Sequence, residues 1–232
     1  MRRETETAQC PGPVQPGAGD VNAAPFPQRV PLAGSAVVLE PLADSHVDEL
    51  WRCAEGADTS WHYLRYGPFP DRDALRDQVR ALANRSHQPF WAVCPLPDGR
   101  ARGWLSLCDI CPEDAALELG SIWFSTALQR SRAGTEAVFL LLRYAFDGLG
   151  YRRVAWRCLA DNAASMASAQ RYGFKPEGVW RSVVNVKGRR GDIAWHSMLA
   201  DEWPGRRDAL QAWLAPSNFD SAGLPRSRLA RA

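Results

Sequence analysis

The sequence lacks long apolar runs and lacks an excess of either charge. No stretch approaches the ~18 consecutive apolar residues that a membrane-spanning helix needs. The 28 lysines and arginines nearly balance the 26 aspartates and glutamates, which leaves a formal net charge of +2. Such a balance gives no strong field for attracting nucleic acid or an anionic membrane. We therefore expect neither as a partner.

Signatures of nucleotide and metal chemistry are missing as well. The sequence contains neither the Gly-Lys-Ser/Thr of a Walker A loop nor a Rossmann G-x-G-x-x-G, which argues against nucleotide hydrolysis and hydride transfer. Cys108 and Cys111 form one C-x-x-C pair, but a structural zinc site needs four ligands and no second pair follows. The four histidines show no spacing typical of a metal site. We expect no metal.

The amino terminus lacks the pattern of a secretory signal, because no apolar core of ~7–15 residues follows its two arginines. The six cysteines are too widely spread to indicate a disulfide framework. A cytoplasmic protein with reduced thiols is the expectation.

Composition divides the chain into three parts. Residues 1–30 are rich in glycine and proline and poor in aliphatic side chains, which predicts a disordered leader. Residues 216–232 read as a flexible tail. The part between them, 31–215, is long enough to bury one hydrophobic core of ordinary size, so we expect one domain.

Hydrophobic periodicity within this domain predicts an α/β fold, a mixed sheet with helices on both faces. The turn signal Pro97-Asp98-Gly99 between two apolar runs predicts a hairpin. In chain order we expect a strand at 36–42, helices near 45–51 and over 71–83, strands at 89–94, 102–110 and 117–124, a helix over 134–149, a strand at 152–160, a helix over 162–172, and a final hairpin around the turn at 187–191.

The strand, turn and helix at 117–149 carry the clearest chemical signal. A glycine-bearing turn that leads into a helix N-terminus directs free backbone N–H groups and the positive end of the helix dipole at one spot, which suits a phosphate. Alone this signal is weak, because Gly134 is the only glycine of the turn and many such turns bind nothing.

Two separated motifs make the sequence resemble the GCN5-related N-acetyltransferase (GNAT) superfamily. The string Gln129-Arg130-Ser131-Arg132-Ala133-Gly134 resembles its pyrophosphate loop, Q/R-x-x-G-x-G/A. Further along, 162–165 and 171–178 resemble its second signature, an asparagine and a GF-xx-EG turn that bracket a short helix. The likeness is closest to the RimJ/RimL-like branch. It implies the GNAT fold, around a central mixed twisted sheet, and transfer of an acetyl group from acetyl-CoA to an amine.

The resemblance also assigns residues to acetyl-CoA. The backbone of Ile122, Trp123 and Phe124 would pair with the pantetheine arm like an added strand. Asn162 would hold the cofactor from the other side, and it also suits the N-cap of a helix.

In the pyrophosphate loop, Arg130 and Arg132 would supply countercharge, while Arg132, Gly134 and Thr135 would offer N–H groups. The loop departs from the family pattern at Arg132, which replaces the usual first glycine.

Amide formation needs a base for the ammonium and an acid for the departing thiolate. Glu118 is the candidate base, on the strand that would face the substrate; the alternative is a structural ion pair with a neighbour such as Arg102. The tyrosine that usually acts as general acid in the superfamily is absent, since Ala169 occupies its position. Ser165 is the candidate acid, and its alternative is an ordinary exposed helix serine.

The acceptor pocket should lie where the first two helices and the final hairpin overhang the sheet. The loop between those helices is aromatic, and its side chains can clamp an amine or simply pack in the core. The candidates are Trp61, Tyr63, Tyr66 and Phe69.

Three further questions stay open. A non-catalytic CoA-binding or regulatory module is the alternative to an enzyme, because of Arg132 and Ala169. RNA binding through the basic patches at 152–153 and 187–190 is a weaker third hypothesis. For the acceptor, a small-molecule amine is slightly favoured over a protein N-terminus. Self-association into a homodimer through the sheet edge or the last hairpin is a further hypothesis.

Overall fold

An eight-stranded sheet with five α-helices forms the computed structural model, which describes residues 23–229. The strands are β1 (Leu32–Ala33), β2 (Val37–Pro41), β3 (Phe90–Pro95), β4 (Gly103–Cys111), β5 (Ala116–Phe124), β6 (Arg153–Leu159), β7 (Lys175–Val186) and β8 (Arg189–Leu199). The helices are α1 (Val47–Ala54), α2 (Arg72–Ala83), α3 (Arg132–Arg143), α4 (Ala163–Tyr172) and α5 (Trp203–Leu214). The predicted mixed α/β sheet is confirmed, and β1 and α5 are additions that the sequence analysis did not contain.

The sheet changes from antiparallel to parallel pairing once. Its strand order is β1-β2-β3-β4-β5-β6-β8-β7, and every neighbouring pair is antiparallel except β5 with β6. A parallel pair needs a crossover connection, and α3 supplies it. The final hairpin then adds β8 next to β6, which leaves β7 at the edge.

Helices cover both faces of the sheet, which explains why β3 is apolar without alternation. Its residues from Phe90 to Cys94 are all buried. Trp91 and Val93 point into the core formed with α3 and α5, whereas Ala92 and Cys94 point into the core formed with α1 and α2. A strand that is buried on both faces reads as a continuous apolar run.

Contacts at both ends extend the packed unit beyond the predicted domain 31–215. The indole of Trp91 donates to the backbone oxygen of Val30 at 2.8 Å, and Ala24 is buried against the core. At the other end, Trp213 donates its indole N–H to Ser227 at 3.0 Å. The predicted disorder of 1–22 and the end of the tail, 230–232, lie outside the described residues.

The thiols are not all reduced, which corrects one expectation. Cys111, at the end of β4, is disulfide-bonded. Because Cys108 carries a free thiol, the C-x-x-C pair is not joined to itself. Among residues 23–229, no helix has the length and apolar character needed to cross a membrane.

Candidate active site

β5 and β6 form a fork, because they pair over only three positions. The pairs run from Ala116 with Arg153 to Glu118 with Ala155. Beyond Glu118, β5 continues along β4 to Phe124, while β6 continues along β8 to Leu159. Within the described chain no further pairing joins the two strands. The fork therefore leaves a strand edge at 119–124 with which an extended ligand can pair.

A β-bulge lies on the β5 arm of the fork. Trp104 pairs with Trp123 and Ser106 with Gly120, so β5 carries one extra residue between these pairs, and Ser121 has φ +50°. Bulges bend a strand and increase its local twist. Gln88 donates from Nε2 to the hydroxyls of Ser106 and Ser121, both at 3.0 Å, and so connects the bulge to β4.

The turn into α3 has backbone N–H groups without acceptors. Ser131 is the N-cap of α3, and its hydroxyl accepts from the N–H of Gly134 at 2.9 Å. The N–H of Thr135 donates to the oxygen of Ser131 at 3.1 Å. In residues 23–229, no acceptor is present for the N–H groups of Arg130, Arg132 and Ala133. These groups, with the helix dipole behind them, suit an anion.

This arrangement corrects part of the predicted donor set, because the N–H groups of Gly134 and Thr135 are already used inside the helix. Gly134 has a different role. A Cβ at this position would lie 2.5 Å from the backbone oxygen of Leu128, so a glycine lets the helix close onto the turn. Gln129, predicted for the cofactor, donates its side chain to the oxygen of Phe124 at 2.9 Å.

Arg132 does not direct its guanidinium at the turn, which corrects its predicted role as countercharge. Its Nη2 donates to the oxygen of Leu214 at 2.7 Å and to the hydroxyl of Ser35 at 2.9 Å. Its guanidinium also lies 4.9 Å from the ring centre of Phe219. Arg130 is exposed, and its side chain makes no hydrogen bond, ion pair or ring contact with residues 23–229, so its charge is available at the turn.

Glu118 lies at the closed end of the fork. Its side chain is almost wholly buried, and Oε2 forms an ion pair with Nε of Arg157 at 2.7 Å. Burial raises the pKa of Glu118 from 4.5 to about 8; Arg157 opposes this rise and Asp109 adds to it. The alternative partner Arg102 is paired with Asp98 instead.

Ser165 and Asn162 lie on the opposite arm, at the start of α4. The side-chain oxygen of Asn162 accepts from the N–H of Ser165 at 3.1 Å, which confirms the predicted N-cap. The Ser165 hydroxyl accepts from the indole N–H of Trp156 at 3.0 Å. That bond uses an acceptor position of the oxygen, and the same hydroxyl also hydrogen-bonds with the side chain of Cys158.

The predicted aromatic clamp divides into a buried part and an exposed part. Trp61 is 0% exposed and stacks on Trp123 with ring centres 4.3 Å apart, while Tyr66 and Phe69 pack around it. These three residues therefore belong to the core, as the alternative interpretation expected. Tyr63 is 38% exposed, and its hydroxyl donates to the oxygen of Asp161 at 3.2 Å.

The loop that carries these aromatic residues is tied to the final hairpin. Lys187, in the hairpin turn, donates from Nζ to the oxygen of Trp61 at 2.7 Å. Arg65 donates to the oxygen of Asn185 at 3.3 Å. With the contact of Tyr63, these bonds define a rim of three residues, Tyr63, Arg65 and Lys187, and the acceptor pocket expected there stays a prediction.

Glu40, His46 and Cys94 bring three potential metal ligands within 4.8 Å of one another. However, Nδ1 of His46 accepts from the N–H of Ala43 at 3.1 Å, so the ring proton lies on Nε2. Nε2 then donates to Glu40 at 3.1 Å. A metal needs a ring nitrogen with a free lone pair, and this hydrogen-bonding pattern leaves none on His46.

Arg157 and Asp109 are the charged neighbours of Glu118, and neither was among the site residues predicted from the sequence. Arg157 lies two residues beyond Ala155, so strand alternation places it on the same sheet face as Glu118. That alternation was readable in the sequence. The partner strand and its register were not, because nothing local indicates where two distant parallel strands pair.

Comparison with known proteins identifies relatives of the chain. A family model described as the acetyltransferase (GNAT) domain matches residues 36–175. A crystal structure of a GCN5-related N-acetyltransferase from Brucella melitensis has a TM-score of 0.88 and 38% identity, covering 90% of this chain and 96% of that chain. A solved protein of Chromobacterium violaceum, provisionally described as an acetyltransferase of the GNAT family, has a TM-score of 0.76 and 39% identity, covering 85% of this chain and 100% of that chain.

A curated relative from Bacillus subtilis is provisionally named ribosomal N-acetyltransferase YdaF. It is 32% identical over 112 residues, which are 48% of this chain and 61% of that protein. The alignment thus spans less than two thirds of this relative's own length.

The raised pKa of Glu118 predicts a pH dependence of stability. Between its unfolded value of 4.5 and its folded value of about 8, the folded state binds more protons, so the free energy of unfolding should fall as pH rises. Urea unfolding at pH 5, 6.5 and 8 should show this fall in the wild type and a smaller fall in Glu118→Gln.

Glu177→Gln is the matched control. An ion pair with Arg153 lowers the pKa of Glu177 to about 2, so its stabilisation is lost only as pH falls below about 4.5. Equal slopes for the wild type and Glu118→Gln between pH 5 and 8 would contradict the buried, proton-binding carboxyl.

Proposed function

Because this chain belongs to the GNAT family of acetyltransferases, we propose that it transfers an acetyl group from acetyl-CoA to a primary amine by direct attack in a ternary complex. The observation that supports this proposal most is the position of Glu118. A buried carboxyl with a raised pKa lies at the closed end of a fork whose open strand edge can receive an extended ligand.

The residues of the fork fit acetyl-CoA in three respects. The edge of β5 at 119–124 suits the amide-bearing pantetheine arm, including the proposed contacts of Ile122, Trp123 and Phe124. The unpaired N–H groups at the start of α3, together with Arg130, suit its pyrophosphate. Asn162 begins α4 across the fork. When bound, acetyl-CoA supplies the activated acetyl group.

Glu118 is proposed to remove the proton that makes the acceptor nitrogen unreactive. The nitrogen then forms a C–N bond with the acetyl carbonyl carbon while the C–S bond breaks. A base with a pKa of about 8 lies closer to the pKa of an alkylammonium than an ordinary carboxylate does, and it keeps an ionised fraction near neutral pH.

Ser165 is proposed to return a proton to the departing thiolate. The indole of Trp156 donates to its oxygen, and donation to the thiolate would replace the hydrogen bond that the hydroxyl makes with Cys158. The second proton, which the nitrogen loses as it becomes an amide, returns to the Ser165 hydroxyl through water, and Glu118 then releases its own proton to solvent. Ser165 would thus take the role that a tyrosine has in related enzymes. In this chain the position of that tyrosine is occupied by Ala169, which is buried in the core.

The acceptor is proposed to be a primary amine that enters below the rim formed by Tyr63, Arg65 and Lys187. The name of the Bacillus subtilis relative points to a protein acceptor, whereas the sequence analysis slightly favours a small molecule. An acceptor screen should therefore contain both small amines and short peptides with free N-termini. A non-catalytic CoA-binding module is the alternative, and it predicts binding without turnover.

Acetyl-CoA binding should depend on the turn into α3. Gly134→Glu adds a carboxylate beside the phosphate position and a Cβ that meets the oxygen of Leu128, so we expect a loss of affinity of about 100-fold or more. Isothermal titration calorimetry measures the dissociation constant, and a thermal shift reports stabilisation by the ligand.

Gly205→Glu is the matched control, since a Cβ at Gly205, in α5, meets nothing within 4 Å. This variant should bind acetyl-CoA like the wild type. If millimolar acetyl-CoA neither binds nor stabilises the wild type, the proposed transfer reaction loses its foundation.

Glu118→Gln should lower kcat/KM for an accepted amine by about 10²–10⁴-fold, because the amide cannot take the proton from the nitrogen. Its affinity for acetyl-CoA should stay within a factor of about three of the wild type, since Glu118 is assigned to the acceptor's proton. Release of free CoA, measured with a thiol reagent, gives the rate. An unchanged rate in Glu118→Gln would exclude this carboxyl as the base.

A further inference from the structure

A second carboxylate and one guanidinium accompany Glu118 at the closed end of the fork. Arg157 Nε lies 2.7 Å from Oε2 of Glu118, and its Nη2 lies 2.5 Å from Oδ2 of Asp109. The three residues come from neighbouring strands: Asp109 from β4, Glu118 from β5 and Arg157 from β6. One guanidinium thus joins two carboxylates across three strands.

Arg157 lies on β6 at the point where this strand diverges from β5. Ala155 is the last residue of β6 that pairs with β5, and Arg157 lies two residues further along the diverging arm. Its ion pairs therefore cross the fork just beyond the last backbone pair. The guanidinium carbon of Arg157 lies over the ring of Trp195, on the neighbouring strand β8, 5.3 Å from the ring centre.

The backbone of β4 is distorted where Asp109 meets Arg157. The register with β5 shifts between Cys108 and Cys111, and Asp109 has φ +45°, a region that L-residues other than asparagine and aspartate rarely occupy. A bulge re-aims side chains next to active sites. The Asp109 carboxylate contacts Arg157 from this distorted part of the strand.

We propose that Arg157, anchored by Asp109, is a positioning residue that holds the Glu118 carboxyl in its orientation toward the acceptor amine. This inference rests on the proposed role of Glu118 as the base. The planar guanidinium of Arg157 is in ion-pair contact with two carboxylates and lies over an indole ring, an arrangement that the compact ammonium of a lysine does not reproduce. The charge of Arg157 and its geometry are therefore separable in an experiment.

The charged and titratable groups around Glu118 determine the direction of each effect. Cys108 and Asp109 approach it from β4, and Arg157 and Cys158 are its titratable neighbours on β6. Arg157 lowers the pKa of Glu118 and Asp109 raises it. Removal of the Arg157 charge should move the acidic limb of the kcat/KM profile to higher pH. Removal of the Asp109 charge should move it to lower pH.

The test measures kcat and kcat/KM against pH for the wild type and five variants, including Glu118→Gln, with acetyl-CoA and an accepted amine. In Arg157→Gln the acidic limb should move to higher pH, and in Asp109→Asn to lower pH. Arg157→Lys keeps the charge, so its limb should stay near that of the wild type while the plateau of kcat falls about 10-fold to 100-fold from lost orientation. Arg153→Gln is the matched control, because Arg153 lies on the same strand and pairs with Glu177 instead.

The outcomes separate this inference from the proposed function. If Glu118→Gln is inactive but Asp109→Asn and Arg157→Lys both behave like Arg153→Gln, the positioning role is overturned and the base remains. If Glu118→Gln keeps the wild-type profile, the base and the positioning role are both overturned. Should Arg157→Gln fail to fold or to bind acetyl-CoA by calorimetry, the Asp109→Asn and Arg157→Lys results decide the question.

Discussion

The pairing between β5 and β6 ends after Glu118, and the candidate site depends on this early divergence. Each strand stays paired on its other side, β5 with β4 and β6 with β8, so the sheet opens locally without losing its continuity. Two strands that pair over their full length would have no free edge between them. The open edge and the carboxyl at its closed end therefore follow from one feature of the sheet, and the chain leads from this edge into the turn before α3.

The neighbouring elements support this opening instead of filling it. Gln88 and the bulge at Ser121 shape the β5 arm, and three backbone N–H groups near the N-cap Ser131 have no acceptor in residues 23–229. The buried carboxyl of Glu118 has a related origin. Withdrawal from water favours its protonated form, while a single guanidinium shared with Asp109 only partly offsets that preference. The resulting pKa lies near the range in which an amine gives up its proton.

Much of this arrangement could be predicted from the sequence, because it is encoded locally. Periodicity and turn signals predicted the hairpin β3–β4 and helix α2, whose observed bounds differ from the predicted ones by one residue at most. The motif around Gly134 and the asparagine at 162 indicated the two helix starts that flank the fork. Each of these signals depends on residues close together in the chain.

The errors concern contacts between distant parts of the chain. Arg132 was assigned to phosphate because of its place in a motif, yet its guanidinium binds Leu214 and Ser35. Trp61 was a candidate for the acceptor pocket, and its partner Trp123 is a strand residue far away in sequence. The pair of Arg157 with Glu118 likewise requires the register of two parallel strands, which no local pattern contains.

Hydrogen–deuterium exchange with and without acetyl-CoA tests the central claim, that the fork between β5 and β6 receives this ligand. We expect slower exchange in peptides that cover 119–124 and 130–133, because their free backbone groups gain partners. Peptides from β7 and β8 away from the rim should be unchanged, since β8 lies on the side of β6 away from the fork and β7 pairs with β8. Slower exchange elsewhere, with no change at 119–124, would contradict the account.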